Sequence, residues 1–195
     1  MIDFEKDYIL ENKNVLLRPL KITDVNNLLY FAENEQDIWL YSLIQPKNRH
    51  SLKEYIKLAL NDKTNKKSYP FIVFDKQKNK FAGSTRFYDI NSFHKTISLG
   101  YTWYGKDFRG TKLNKNCKFL LLKFAFEILE VERIEFKADK NNERSINAMK
   151  SIGCVEEGVL RNNFTTNYGR RDSIVLSIIK SEWHVESKPM LFNKL

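Results

Sequence analysis

Residues 101–153 read YTWYGKDFRGTKLNKNCKFLLLKFAFEILEVERIEFKADKNNERSINAMKSIG, and their pattern is the most informative in the chain. A strand is followed by a polar loop at residues 109–114, and apolar positions spaced 3.6 residues apart predict a helix over residues 113–129. Alternating apolar and charged residues predict a strand over residues 133–139, and a short helix follows at residues 145–152. A strand–helix–strand crossover of this length favours parallel pairing of its strands.

The polar loop before the long helix has the position of an anion site. A helix start presents unpaired backbone N–H groups and the positive end of the helix dipole, and both suit a phosphate or diphosphate. A second helix start, at Asn142 and Ser145, adds side-chain donors to the same region. The candidate binding residues of the loop are Arg109, Gly110, Thr111, Lys112, Leu113 and Asn114.

The segments on either side predict more strands and two helices. Strands are expected at residues 15–20, 71–74, 81–90, 95–104, 155–161 and 172–180. Gly100 interrupts the fourth of these and indicates a bulge. Helices are predicted to start at Thr23-Asp24 and at Ser51, the second ending at Leu60 before a polar loop over residues 61–68. From Ser181 onward the tail shows no regular pattern.

Composition and charge narrow the functional classes. The chain has 195 residues, 42% hydrophobic and 29% charged, which is typical of one soluble globular domain. It has no apolar run near the ~20 residues that span a bilayer, and no secretory signal, so we expect a cytoplasmic protein. The net charge of +9 indicates an anionic partner, such as a phosphorylated cofactor, an acidic protein or RNA, or else a solvated basic surface.

The cysteines and histidines do not predict a metal site. Cys117 and Cys154 lack metal-ligand spacing, and Cys117 falls on the apolar face of the long predicted helix. The three histidines, His50, His94 and His184, lie far apart in the sequence. We therefore expect no metal.

The order of several short motifs resembles the GNAT acetyltransferases, and within them the ribosomal-protein N-terminal acetyltransferase group. Each motif is weak alone, but their joint order and spacing cover most of the chain. The motifs are Leu16-Leu17-Arg18-Pro19-Leu20 with Asp24, Glu135-Phe136-Lys137-Ala138-Asp139 with Asn142-Glu143-Arg144-Ser145, Ile152-Gly153, Glu156-Glu157-Gly158-Val159-Leu160-Arg161, Arg171-Asp172-Ser173, and Ser181-Glu182-Trp183.

This resemblance implies a fold and a cofactor. The fold is a single α/β (α+β) GNAT-like domain over residues 1–183 with a tail at 184–195. Its mixed, mostly antiparallel sheet has a central parallel splay and is flanked by helices. Acetyl-CoA is expected in the splay, with its pantetheine along the strand that holds Tyr101 and Trp103. Its diphosphate is expected at the 109–114 loop.

The diphosphate loop departs from the family pattern Gln/Arg-x-x-Gly-x-Gly/Ala. Arg109 fills the first position, but Lys112 replaces the first glycine and Asn114 the final small residue. Glycine allows close approach and positive φ, whereas lysine restricts the backbone but supplies a charge. Asn142 and Ser145 match the Asn-x-x-Ser element, for which plain helix capping is the competing explanation.

The chemistry requires a neutral amine, a polarised thioester and a proton for the departing thiolate. Many GNAT enzymes supply that proton from a tyrosine, whose position is Met149 here, so Ser145 is the candidate acid. We assign no base, because each candidate has an ordinary surface or packing explanation. The candidates are Glu33, Glu35, Asp37, Tyr88 and His94.

The acceptor remains open at this point. A protein N-terminal α-amine is the first choice, because its low pKa suits an enzyme without a strong base. A polyamine or an aminoglycoside is the alternative within the same chemistry. A non-catalytic CoA-binding or RNA-binding protein is the alternative from another class, supported by basic runs that include Lys112, Lys115 and Lys118. No RNA-binding motif supports a nucleic-acid partner. No membrane partner is expected, and a homodimer is left open.

Overall fold

One mixed sheet organises the chain in the computed structural model, which describes residues 1–167 and 169–195. Its strands are β1 Leu10–Glu11, β2 Val15–Pro19, β3 Ser68–Asp75, β4 Lys80–Asn91, β5 Thr96–Tyr104, β6 Arg133–Asp139, β7 Val155–Thr166 and β8 Gly169–Ile179. Within the described residues these eight strands have the order β1-β2-β3-β4-β5-β6-β8-β7. The expected α/β architecture with a mostly antiparallel sheet is confirmed.

Helical segments connect the strands and cover the sheet. The α-helices are α1 Val25–Asn34, α2 Arg49–Thr64, α3 Leu113–Lys123, α4 Glu143–Lys150, α5 Lys180–Glu182 and α6 Lys188–Phe192. Short 3₁₀ turns occur at Ile22–Asp24, Gln36–Trp39 and Lys106–Phe108, and π-turns at Phe124–Ile128 and Trp183–Ser187. None of the helices among the described residues has the length and apolar character needed to cross a membrane.

The centre of the sheet opens between β5 and β6. These strands are parallel, as the crossover predicts, but they pair only from Thr96 to Ser98 and from Arg133 to Glu135. Beyond that point they diverge and leave a wedge with unpaired strand edges. Backbone N–H and C=O groups inside a sheet are normally hydrogen-bonded, so the unpaired groups here can bind an extended ligand. The wedge is therefore a candidate ligand site.

A bulge shapes the β5 side of this wedge. Ser84 of β4 lies opposite Trp103, whereas Arg86 lies opposite Gly100, so β5 holds one residue more than β4 there. The bulge indicated by Gly100 is thus confirmed, but the positive φ of 50° belongs to its neighbour Tyr101. A non-glycine residue in this conformation is uncommon, and such residues cluster at functional sites.

The start of α2 differs from the prediction. The helix begins at Arg49 and its cap is Asn48, whose side chain accepts a hydrogen bond from the Ser51 backbone N–H at 2.9 Å. Ser51, where the helix was predicted to start, is not the cap, and its hydroxyl accepts a hydrogen bond from the Asn48 backbone N–H at 3.1 Å. This reciprocal pair satisfies the N–H groups of Asn48 and Ser51, and the helix continues to Thr64, through half of the predicted polar loop.

Replacing Asn48 by alanine is expected to lower the free energy of unfolding by about 1 kcal/mol, because the first turn of α2 loses its cap. Urea unfolding followed by circular dichroism measures the change. Asn147→Ala, at an exposed position inside α4, is the control and should not lower the stability, because alanine has the higher helix propensity. Equal stability of Asn48→Ala and the wild type would show that water replaces the cap.

The long helix after the wedge ends in a π-turn. The predicted segment 113–129 is helical, but only residues up to Lys123 are α, and Phe124–Ile128 form the π-turn. Ile128, which the 3.6-residue period of the predicted helix puts on the buried face, ends this wider turn and is 66% exposed. Leu121, before the turn, is fully buried as the periodicity predicts.

The C-terminal segment is helical, so the expectation of a tail without regular structure is wrong. Trp183 and Leu191 are both fully buried. The Trp183 ring stacks on Phe126 with centroids 5.6 Å apart, and its indole N–H donates to Glu127 at 3.1 Å. The segment therefore packs on the α3 side of the sheet, while the division at residue 183 stays a prediction.

The last two strands form a longer hairpin than expected. β7 extends to Thr166 instead of residue 161, and β8 begins at Gly169 instead of residue 172. The hairpin brings Phe164 to the wedge, beside Arg171. Tyr168, in the loop between the last two predicted strands, lies outside the described residues.

Candidate active site

The wedge between β5 and β6 opens into a cleft of about 350 Å³. Strand β5 lines one side and β6 the other, and side chains from α3 and α4 complete the lining. Residues predicted from the sequence that line it are Tyr101, Trp103, Arg109, Gly110, Asn114, Asn142 and Ser145. Thr111, Lys112 and Leu113 belong to the same loop but do not line the cleft.

The loop before α3 is held by its own side chains. Gly110 has a φ of 70°, in the left-handed region, and a Cβ there would have no atom within 4 Å. The Thr111 hydroxyl donates to the Phe108 carbonyl at 2.8 Å and accepts from the Leu113 N–H at 3.2 Å. Thr111 and the buried Leu113 therefore shape the loop, while the following N–H groups remain the unpaired donors of a helix start.

Lys112 does not strain the loop. Its φ of −73° lies in the ordinary right-handed region, so this position does not need the glycine of the family pattern. The residue that needs conformational freedom is Gly110. The Lys112 ammonium donates to the backbone oxygen of Leu195 at 2.7 Å, which directs it toward the C-terminal segment.

Arg109 lies at the mouth of the cleft and is already partly engaged. Its Nε donates to the Tyr104 carbonyl at 3.0 Å, and a terminal nitrogen lies 3.5 Å from an Asp37 oxygen. Arg144, from the first turn of α4, lines the same cleft. The two guanidinium groups place positive charge where α3 begins, as an anionic group requires.

The start of α4 is organised by Asn142. Its Oδ1 accepts a hydrogen bond from the Ser145 N–H at 3.1 Å, so Asn142 does cap the helix. The Ser145 hydroxyl is half-buried and has no hydrogen-bond partner among the described residues. One turn further, Met149 is buried and lines the cleft. Capping thus leaves the Ser145 hydroxyl free for a ligand.

In the acidic turn over residues 33–37, Glu35 and Asp37 form contacts within the fold. Buried Glu35 accepts from the Lys106 backbone N–H at 2.7 Å. Asp37 lies 3.1 Å from the Lys106 ammonium, and this hydrogen bond lowers the pKa of the Asp37 carboxyl. A carboxylate with a lowered pKa is a weaker proton acceptor, so Asp37 is a poor general base. Glu33 is exposed and does not line the cleft.

Two other candidate bases also fail on position or protonation. Tyr88 lines the cleft, but burial raises the pKa of its hydroxyl, so it remains protonated at neutral pH and does not act as a base. His94 is exposed in the β4–β5 turn, away from the cleft lining. We therefore assign no general base among the described residues.

The aromatic candidates divide between core and cleft. Trp103 is buried, its ring centroid lies 4.4 Å from that of Trp39, and its indole N–H donates to the Tyr55 hydroxyl at 3.3 Å. Tyr101 is 43% exposed, and its ring meets that of Tyr88 edge-on at 5.1 Å. Trp103 thus fixes β5 against the helices, and Tyr101 faces the open end of the cleft.

Lys118 is the residue of the cleft that the sequence reasoning missed. The basic runs suggested a surface lysine, yet its side chain is buried and lines the cleft. The signal available in the sequence was its place next to Cys117 on the apolar part of the helix. The sequence reasoning also missed an ion pair between Arg171 and Asp139. Both residues are buried, and Arg171 Nε lies 3.9 Å from Asp139 Oδ2.

The part of the chain that the structure describes contains no group of three or more His, Cys, Asp or Glu side chains arranged to hold a metal ion. Cys117 and Cys154 are buried free thiols.

Comparisons with known proteins agree with this geometry. The family model described as the acetyltransferase (GNAT) domain matches residues 14–155. A relative in Bacillus subtilis, YdaF, provisionally named as a ribosomal N-acetyltransferase, is 25% identical over 182 residues, covering 90% of this chain and 96% of the relative. A Vibrio cholerae spermidine N(1)-acetyltransferase is 25% identical over 177 residues, covering 88% and 96%.

A solved structure shows the same fold. The GCN5-related N-acetyltransferase from Brucella melitensis superposes with a TM-score of 0.88 at 21% identity, covering 97% of this chain and 86% of that one.

Proposed function

The chain belongs to the GNAT acetyltransferase family and is an acetyl-CoA-dependent N-acetyltransferase, and we propose that its acceptor is the α-amine of a protein N-terminus. The observation that carries this proposal is that, among the described residues, none of the five candidate bases is poised to take a proton from an acceptor amine. Glu35 and Asp37 are engaged with Lys106, and Tyr88 stays protonated. The enzyme therefore suits an amine that is partly neutral before it binds.

The free energy of deprotonation separates the acceptor classes. An α-amine has a pKa near 7.8 and a lysine-type amine near 10.4, so the second costs about 3.5 kcal/mol more to neutralise at pH 7. Without a base, this difference appears directly in the barrier of the attack. The provisional name of the B. subtilis relative supports the same choice.

The residues of the cleft fit acetyl-CoA. Gly110, Arg109 and Arg144 surround the start of α3, where the diphosphate would bind. The unpaired edge of β5 from Gly100 to Tyr104 would pair with the pantetheine amides, in the manner of an added strand. When bound, acetyl-CoA would supply an acetyl group activated as a thioester, with the CoA thiolate as its leaving group. Ser145, with its free hydroxyl, would hydrogen-bond the sulfur.

Acetylation of a small polyamine is the second candidate. One curated relative is named a spermidine N(1)-acetyltransferase. The exposed Asp89 lines the cleft near Tyr88 and provides one negative charge for such a cation. However, Arg144, Lys137 and Arg171 also line the cleft and oppose a polycation. A non-catalytic RNA-binding role is not retained, because family and relatives are acetyltransferases.

A panel of acceptors at pH 7 tests the proposal. Each reaction contains the protein, acetyl-CoA and one acceptor. The four acceptors are a peptide with a free N-terminus, the same peptide with a blocked N-terminus and an internal lysine, spermidine, and an aminoglycoside. We expect kcat/KM for the free N-terminus to exceed that of the blocked peptide by at least about 10-fold. CoA release and product mass are measured. A preference for spermidine or an aminoglycoside would contradict the α-amine proposal.

A further inference from the structure

Lys118 occupies the floor of the wedge, between the two strands that diverge. Its side chain is only 5% exposed. The ammonium donates to the Thr102 hydroxyl of β5 at 3.1 Å and lies 5.5 Å from the ring centroid of Phe136 on β6. A single side chain from α3 therefore touches both walls of the cleft.

The ammonium has donors to spare. Lysine carries three N–H donors, and within the described residues Thr102 is the one hydrogen-bond acceptor of Lys118. Thr102 is itself held by Thr85, whose hydroxyl oxygen lies 2.7 Å away. The lysine head is thus fixed in place, with unused donors that border the cleft. A buried ammonium in this state is costly unless a further acceptor arrives.

The position of Lys118 identifies which part of the cofactor supplies that acceptor. Lys118 follows the first residue of α3 by five positions, which places it about 7.5 Å further along the helix axis. The diphosphate would bind at the helix start, beside Arg109. The ammonium, in contrast, reaches the part of the cleft beside Thr102, just past the β5 bulge.

We propose that Lys118 binds the acyl-pantetheine arm of acetyl-CoA, with its ammonium donating a hydrogen bond to a carbonyl oxygen of that arm. The proposal rests on the proposed use of acetyl-CoA by this cleft. It assigns to α3 a second contact with the cofactor, distinct from the anion site at its start. The arm offers amide and thioester carbonyl oxygens as acceptors, and hydrogen bonds from a charged donor are stronger than those between neutral groups.

Calorimetry with three ligands tests the proposal directly. The wild type and Lys118→Met are titrated with acetyl-CoA, with CoA, and with 3′-phosphoadenosine 5′-diphosphate, which keeps the phosphates and lacks the arm. We expect Lys118→Met to weaken acetyl-CoA binding by about 10-fold or more and to change binding of the armless nucleotide by less than about 2-fold. Loss for both CoA and acetyl-CoA assigns an amide carbonyl, and loss for acetyl-CoA alone assigns the thioester carbonyl.

Lys123→Met is the matched control, since this exposed lysine lies on the same helix. Equal weakening of all three ligands by Lys118→Met would show a general charge effect on the phosphates and overturn the proposal. Unchanged binding of every ligand would overturn it as well. If Lys118→Met does not fold, Lys118→Gln, which keeps a neutral donor, should retain part of the affinity. Turnover of the wild type in the acceptor panel is a separate result, so failure here leaves the proposed function standing.

Discussion

Replacing Ser145 by alanine is expected to lower kcat for acetyl transfer by about 100-fold, with the affinity for acetyl-CoA changed by less than about 2-fold. The reason is that the thiolate develops negative charge only as the C–S bond breaks. A donor aimed at that sulfur therefore stabilises the transition state more than the bound ground state. The hydroxyl of Ser145 is free to do so, because the bond to Asn142 uses only the backbone N–H.

The neighbourhood of Ser145 offers few substitutes for its proton. Met149, one turn along α4, occupies the cleft where many family members have a tyrosine, and a thioether cannot donate. Tyr88 is protonated but lies on β4, on the other side of the wedge. The loss should therefore appear in kcat and not be compensated nearby.

Steady-state kinetics and calorimetry with acetyl-CoA separate the two effects for Ser145→Ala. Ser151→Ala is the control, because Ser151 follows the other end of α4 and its hydroxyl donates to the Ala148 carbonyl. The control should retain wild-type kcat. Unchanged turnover of Ser145→Ala would remove Ser145 from the mechanism, and a large loss of affinity with unchanged kcat would make it a binding residue.

The sequence was most informative where one face of an element is buried. Strand β6 begins and ends at the predicted residues, because Ile134 and Phe136 are buried between half-exposed charged neighbours. The parallel pairing of β5 and β6 followed from the length of the crossover. The order of Arg109, Asn142 and Ser145 along the chain then located one end of the cleft, since each follows a strand of this pair.

Other features required three-dimensional information. The π-turn after Lys123 changes the helical period without a sequence signal, so Ile128 was placed on the wrong face. In the C-terminal segment, the buried residues Trp183, Ser187 and Leu191 are spaced four positions apart, as on one face of a helix. The serine among them and the charged residues around them obscured this pattern in the sequence. Periodicity assumes a uniform helix, and π-turns violate that assumption.

Lys118 shows a different limit of sequence reasoning. A lysine on a helix normally lies in water, and the one sequence signal to the contrary, its place next to Cys117, is too weak to predict burial. Its burial arises because β5 and β6 diverge beneath α3, so that the helix faces a cleft where a closed sheet would have offered an apolar surface. The splay creates both the candidate cleft and the environment of this lysine.

Lys118→Met is expected to raise the free energy of unfolding by about 2 kcal/mol at pH 7 in the absence of acetyl-CoA. Burial lowers the pKa of the Lys118 ammonium to about 8, whereas an unfolded lysine titrates near 10.4. The difference corresponds to about 3 kcal/mol of destabilisation while both states are protonated, and loss of the bond to Thr102 returns about 1 kcal/mol. Methionine fills similar space without a charge.

The pH dependence has a defined sign. Between about pH 8 and 10.4 the unfolded chain holds a proton that folded Lys118 has released, so the wild type gains stability as the pH rises. The advantage of Lys118→Met should therefore shrink by about 1 kcal/mol between pH 7 and pH 9. Cys117 and Cys154 do not interfere, because burial raises the pKa of each thiol to about 12 and keeps both neutral in this window.

Urea unfolding of the wild type, Lys118→Met and the exposed Lys123→Met at the two pH values measures these differences. Lys123→Met should follow the wild type, because its ammonium is solvated in both states. A lysine that destabilises the free protein and binds the cofactor arm gives opposite effects on stability and affinity, which is the expected pattern for a functional residue. Equal stability of Lys118→Met and the wild type at pH 7 would mean that the buried ammonium is already compensated, and its spare donors would no longer point to the cofactor.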